Sequence, residues 1–178
     1  MNGLGLSTTR AVVHGPFSRL GLAIALLTCV LDQATKLWLI SYYQLGVRGP
    51  IRLGPFFTLV LTWNKGISYG WLPQDGPYGP WLLLAIEIIA VALLWIWLSR
   101  TDSKLSALAL GLIIGGAVGN GIDRLVYGEV ADFVYFHIDT ATWRFHWYVF
   151  NLADVAIVAG VVGLLYESLR GGRAAKAP

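Results

Sequence analysis

The chain has 178 residues, of which 56% are hydrophobic and 13% charged, with a net charge of +3. An ordinary soluble domain carries roughly 25% charged residues, and a fold of this size has no interior large enough to hide so much apolar surface, so composition excludes a soluble globule and points to lipid as the solvent. The basic residues form no run, which argues against nucleic acid as a partner, and the single cysteine, Cys29, excludes an internal disulfide, a CxxC pair or a cysteine zinc site.

A membrane-spanning helix needs about 20 mostly apolar residues, and four segments qualify. Arg10 and Arg19 precede an apolar run from Leu20 to Leu31 that has the look of a signal peptide. No small-x-small cleavage site follows it, and the apolar pattern resumes past Asp32 and Lys36, so an uncleaved first span over Leu20–Ile40 is expected. Cys29 within it is read as packing. The long connection Ser41–Pro80 holds a strand-like stretch, Phe56–Trp63, and a turn-rich stretch, Pro73–Pro80. The second span is expected over Trp81–Leu98, with a tight turn Ser99–Lys104 leading to the third, Leu105–Val126. The connection Tyr127–Tyr148 carries strand-like runs Val130–Phe136 and Trp143–Tyr148 around a turn at Asp139–Thr142, and the fourth span follows at Val149–Leu169. The fold expected is all-α integral membrane, a single domain of four spanning helices.

With four spans, both long loops fall on one side, and both termini and the tight turn on the other. Arg10, Arg19, Arg100, Lys104, Arg170, Arg173 and Lys176 lie on the termini side, which is much shorter in sequence and so denser in positive charge. The positive-inside rule then places both termini in the cytoplasm. Trp38, Trp63, Trp71 and Trp81 gather toward the outer face, while Trp95 and Trp97 mark the inner end of the second span, in the manner of an aromatic belt.

Acids and amides inside a span are costly, so each is a candidate for function. Asp32 lies roughly 12 Å in from the outer end of the first span at about 1.5 Å per residue. Asn120 and Asp123 occupy the last two turns of the third span, and Asn151 and Asp154 the first two turns of the fourth. The spans run in opposite directions, yet all these residues fall near the outer end, which points to one polar pocket. Asp32 and Lys36 are i, i+4 neighbours and read as a structural ion pair. Asn120 with Asp123, and Asn151 with Asp154, are each i, i+3, so each pair faces one direction and can supply a carboxylate with an amide to orient it. Glu87, alone in the second span, and Glu167, near the inner end of the fourth, read as structural or interfacial, and the stripe Gly111, Gly115, Gly119 as close helix packing.

The chemistry follows by elimination. The three histidines, His14, His137 and His146, are scattered and lie outside the spans, so no metal-hydrolysis motif is present and no cofactor or metal is expected. Gly66-Ile67-Ser68-Tyr69-Gly70 matches G-x-S-x-G but lies in a loop rather than on a strand-to-helix turn. Paired carboxylates remain: two close acids share a proton, so one activates water while the other donates to the scissile carbonyl. Among Asp123, Asp132 and Asp154, Arg124 beside Asp123 reads as a counter-ion that suits a scaffold, which favours Asp132 with Asp154 as the working pair. A proton-coupled transporter and a helix-pairing scaffold use the same acids, but transport needs polar access from both faces, and the inner halves of these spans hold few polar residues.

Five stretches together resemble the bacterial lipoprotein signal peptidases, the signal peptidase II family: Asp32-Gln33-x-x-Lys36; Asn64-x-Gly66; Gly115-Gly116-Ala117-x-Gly119-Asn120-x-x-Asp123-Arg124; Asp132-Phe133; and Phe150-Asn151-Leu152-Ala153-Asp154. The resemblance implies an inner-membrane aspartyl endopeptidase with four helices and a small periplasmic β-cradle. Its implied substrates are prolipoproteins that carry diacylglycerol on the lipobox cysteine, cut just before that cysteine to free the signal peptide. By motif, Asp132 and Asp154 match the catalytic dyad. Asn64, Gly66, Asn120, Asp123, Arg124 and Asn151 match the supporting polar shell, and Asp32 and Lys36 the first-helix motif. The expected partners are diacylglyceryl-prolipoprotein signal peptides and membrane lipid, and the expected state is a monomer. Ile67, Ser68 and Tyr69, Ala131, and the long stretch from Phe133 to Phe150 depart from the family pattern, and these departures bear on the substrate rim more than on the dyad. The aromatic outer loops are expected to rest on the membrane surface and close over the lipid.

Overall fold

The structure is a computed structural model that describes residues 15–66 and 79–174. The reading of residues 1–14, the serine motif beyond Gly66, Trp71 and most of the Pro73–Pro80 turn stretch lie outside the described residues. Among the described residues four helices are long and apolar enough to cross a membrane, and the chain is a multi-pass membrane protein. Helix α1 covers Ser18–Leu37 and runs on as a π-helical turn, Trp38–Tyr42. A short helix α2, Leu45–Arg48, leads into strands β1, Ile51–Arg52, and β2, Phe57–Asn64. Helices α3, Gly79–Leu98, and α4, Lys104–Tyr127, follow, then strands β3, Val130–Asp139, and β4, Arg144–Phe150, and helix α5, Leu152–Ala174.

The strand-like stretches of the two long connections meet in one antiparallel sheet of order β1-β2-β3-β4. Val149 and Phe150, expected to open the fourth span, instead end β4. Their apolar character suits a strand as well as a helix, and composition alone does not separate the two. The sheet lies at the end of the bundle where α1 and α4 finish and α3 and α5 begin.

Helix α4 is the centre of the bundle, packed between α1 and α5. Its glycines explain how. A Cβ on Gly111 would meet the backbone oxygen of Gly21 at 2.5 Å, and one on Gly115 that of Ala25 at 2.4 Å. Without a hydrophobic drive between helices in lipid, such backbone contact is what holds them. The last glycine of the stripe has a different neighbour: a Cβ on Gly119 would meet Asp32 Oδ2 at 2.6 Å. The stripe therefore begins as packing and ends as room for a buried carboxylate. At the far end of the bundle Ser103 caps α4, and Ser103 and Ser106 both donate to Glu167, a structural role as expected. Gly128 closes α4 in the left-handed conformation, φ 78°, donating to the Arg124 carbonyl at 3.0 Å, and turns the chain into β3.

Candidate active site

Three helices and two strands deliver the polar residues to one place. On α1, the i, i+4 spacing puts Asp32 and Lys36 on one face, and both are buried. Lys36 Nζ lies 2.8 Å from Asp32 Oδ2 and 2.8 Å from Asp123 Oδ2, and donates to Asn120 Oδ1 at 3.0 Å. One ammonium thus serves two buried carboxylates and an amide from the neighbouring helix. Gln33 completes this group, donating to Asp123 Oδ1 at 2.9 Å and to the Gly119 carbonyl at 3.0 Å. Asp123 also accepts the Ala131 backbone N–H at 3.1 Å, which fixes the start of β3 against α4.

The expected counter-ion of Asp123 is corrected here: it is Lys36, not Arg124. Adjacent residues on a helix point about 100° apart, so Arg124 faces α3 instead and pairs with Glu87. Glu87 accordingly does not stand alone.

Asn151 is the second hub. It sits before the first turn of α5, and its side chain accepts the Asp154 N–H at 2.9 Å while Asp154 Oδ2 accepts the Asn151 N–H at 3.1 Å. This is a reciprocal capping box with aspartate in the place of the usual glutamate. The Asn-x-x-Asp spacing in the fourth helix is therefore a cap, not two residues side by side on a helical face. The Asn151 amide nitrogen is left free to donate elsewhere, to Asp132 Oδ1 at 2.7 Å and Asn120 Oδ1 at 3.0 Å. Asp32 reinforces the same helix end, accepting the Ala153 N–H at 3.0 Å.

Asp132 reaches this hub from the sheet. Thr62 pairs opposite Asp132 and Asn64 opposite Val130, so Asn64 is the diagonal neighbour of Asp132 on one face. Its amide donates to Asp132 Oδ2 at 3.0 Å. Asn120 donates to Asp154 Oδ1 at 3.0 Å. Both carboxylates are thus held by two nitrogen donors each, and Asn151 serves both. Asp132 is 2% exposed, Asp154 half-buried. Burial pushes the Asp132 carboxyl up to about 7, and the charge of Asp154 adds to the rise against the lowering effect of the Asn64 and Asn151 amides and of Lys36. A cavity of about 240 Å³ opens beside Asp154, walled by Asn64, Gly66, Asn120, Glu87 and Arg124 among others.

All ten residues expected at the site, Asp32, Lys36, Asn64, Gly66, Asn120, Asp123, Arg124, Asp132, Asn151 and Asp154, are brought into this one network. Gln33 joins the network without having been among the expected site residues, although its place three residues before Lys36 puts it near the same face. A further cluster was not expected: Asp139 accepts from His146 Nε2 at 2.9 Å and lies 3.1 Å from His137 Nδ1. Its signal was the alternation His137-x-Asp139, which places both on one face of a strand.

The sequence matches the family described as Signal peptidase (SPase) II over residues 24–170. It is 56% identical over 160 residues to a lipoprotein signal peptidase of Nitrobacter hamburgensis, covering 90% of this chain and 98% of the relative. It is 54% identical over 160 residues to one of Rhodopseudomonas palustris strain TIE-1, with the same coverage. Among solved structures, one described as "Bacterial membrane enzyme structure by the in meso method at 2.3 A resolution" superposes with a TM-score of 0.74 at 26% identity, over 90% of this chain and 93% of that one. With the motif residues gathered as they are and a match of this extent, the chain belongs to the signal peptidase II family.

Proposed function

We infer that this chain is an intramembrane aspartyl endopeptidase that removes signal peptides from diacylglyceryl-modified prolipoproteins, cutting before the lipidated cysteine. The observation that carries the reading is Asn151, which binds Asp132 through its side chain and Asp154 through its backbone. The name lipoprotein signal peptidase borne by the relatives supports the substrate class. The catalytic pair is Asp132 and Asp154, and Asn64, Gly66, Asn120, Asp123, Arg124, Asn151, Asp32 and Lys36 support it.

In this reading Asp132 enters protonated and Asp154, in the positive field of the α5 N-terminus, enters as carboxylate. Asp154 takes a proton from water as the water oxygen attacks the scissile carbonyl carbon, and Asp132 gives its proton to the carbonyl oxygen. The resulting gem-diol collapses: one hydroxyl returns its proton to Asp132, the C–N bond breaks, and the leaving amine takes the proton held by Asp154. Donors on both carboxylates hold their planes fixed, so little reorganisation accompanies the transfer. The dense positive charge of the termini side supports cytoplasmic termini and a site at the periplasmic face of the bacterial inner membrane. A lipid-anchored substrate then meets the site without leaving the bilayer.

Asp132→Asn and Asp154→Asn, made separately and assayed on a diacylglyceryl-modified precursor in detergent, are each expected to abolish cleavage. Cleavage within tenfold of the unmodified chain in either variant overturns the assignment.

A further inference from the structure

Helix α3 is apolar all round, and Glu87 is its only charged residue. A carboxylate in a lipid-facing span is costly and calls for an explanation. Charge neutralisation by Arg124 accounts for its presence, but not for where the rest of the guanidinium goes. Arg124 Nη1 donates to Glu87 Oε1, while Nη2 donates to the Gly66 carbonyl at 3.2 Å. The Gly66 N–H in turn donates to Asn64 Oδ1 at 3.0 Å, and the Asn64 amide donates to Asp132 Oδ2 at 3.0 Å. A continuous run of hydrogen bonds therefore joins α3 to Asp132. Every member except Asp132 itself lies along the wall of the cavity beside Asp154.

We propose that Glu87 is a positioning residue for the site: it aims Arg124 at the Gly66 carbonyl and so fixes the amide of Asn64 on Asp132. Two features fit this role. An amide side chain rotates freely unless its oxygen is held, and the Gly66 N–H holds the Asn64 oxygen only while Gly66 stays in place. Arg124 is the side chain that grips Gly66 from the other side, and Glu87 fixes its planar fork. The second oxygen of Glu87, Oε2, is buried with no hydrogen-bond partner among the described residues, and a Cβ on Gly121 would come within 3.3 Å of it. The carboxylate thus occupies the room that the glycine leaves on α4. Glu87 touches neither catalytic carboxyl; it acts through Arg124. The inference rests on the peptidase reading above and adds a residue that its motifs do not contain.

The test is a double-mutant cycle with the neutral, near-isosteric Glu87→Gln. The single substitution is expected to lower kcat about tenfold, as small misplacements near reacting groups do, with KM little changed. It should also move the alkaline limb of the pH profile upward, because a loosened Asn64 no longer favours the Asp132 carboxylate. Arg124→Gln is expected to lose more, and the double variant no more than Arg124→Gln alone. Unchanged kcat and pH profile in Glu87→Gln overturn the proposal, as does a double variant whose loss is the product of the two single losses. Infrared titration of the Asp132 carboxyl, identified as the band absent from Asp132→Asn, reads the same coupling without turnover; an unmoved titration in Glu87→Gln also overturns it. If Asp132→Asn still cleaves, the peptidase assignment falls while this titration still decides on Glu87.

Discussion

Asp132 and Asp139 stand near the two ends of the same strand, and each accepts hydrogen bonds from two side chains. For Asp132 these are the Asn64 and Asn151 amides, for Asp139 the His146 and His137 rings. Their carboxyls nonetheless depart from the ordinary range in opposite directions. Asp132 is pushed up to about 7, because removal from water outweighs its donors. Asp139 is exposed and drawn down, chiefly by the His146 bond; its slight desolvation pushes the other way and is outweighed once the His137 bond is added. The number of partners does not decide what a carboxyl does; the solvent behind it does. One cluster is thereby made ready to hold and pass a proton at neutral pH, and the other to keep a charge at a hairpin tip.

The comparison breaks most readily at Lys36. Lys36→Met removes the cation from two carboxylates that have no water to turn to, and should destabilise the fold by about 3–5 kcal/mol, the usual cost of stripping one partner from a buried ion pair. Denaturation in detergent micelles checks it, and a loss under 1 kcal/mol would show that water reaches this cluster as freely as it reaches Asp139. The pH dependence sharpens the contrast next. Asp132 is raised when folded and titrates near 3.9 when unfolded, so its proton favours the fold below about pH 4, and that contribution is lost as pH rises through about 7. Cleavage should fall across the upper part of the same range. Asp154→Asn removes one of the upward pushes but not the burial, so the Asp132 band in an infrared titration should move to lower pH while staying above the usual carboxylate range. No movement would mean that the two carboxyls do not sense each other. Smallest of all is Asp139→Asn. Asp139 supports the fold above its unfolded pKa and ceases to do so as pH falls through its lowered folded value. With water as an alternative partner, its loss should shift Tm far less than Lys36→Met and leave cleavage within twofold. A Tm shift equal to that of Lys36→Met would erase the distinction between the clusters.

The sequence carried the buried cluster because local spacing did most of the work. Asp32 with Lys36 and Asn120 with Asp123 are helical neighbours, and their positions near helix ends already place them at one depth. The four spans were legible for the same reason, since a run of about 20 apolar residues has few other readings. What spacing did not carry was tertiary choice. Arg124 follows Asp123 in the chain and points away from it, and the cation Asp123 uses comes from another helix. Asn151 reads as helical from its i, i+3 partner, whereas a strand of aromatic and β-branched residues runs to within one residue of α5, which turns Asn151 into a cap. Asp139, His137 and His146 meet through cross-strand pairing of His137 with His146, a register that the loop composition alone does not specify.

The capping of α5 also bears on when the protein becomes able to work. A chain emerging from the ribosome delivers its elements from the N-terminus onward, and α5 follows the other three spans. Until it arrives, the Asn120 amide lacks the Asp154 oxygen it serves, and Asp132 has Asn64 but not Asn151. The residue that starts the fourth spanning helix is also the one that joins the two acids, so a chain not yet synthesised that far carries only half of the pair. In the proposed enzyme, synthesis of the fourth span and assembly of the catalytic pair are one event.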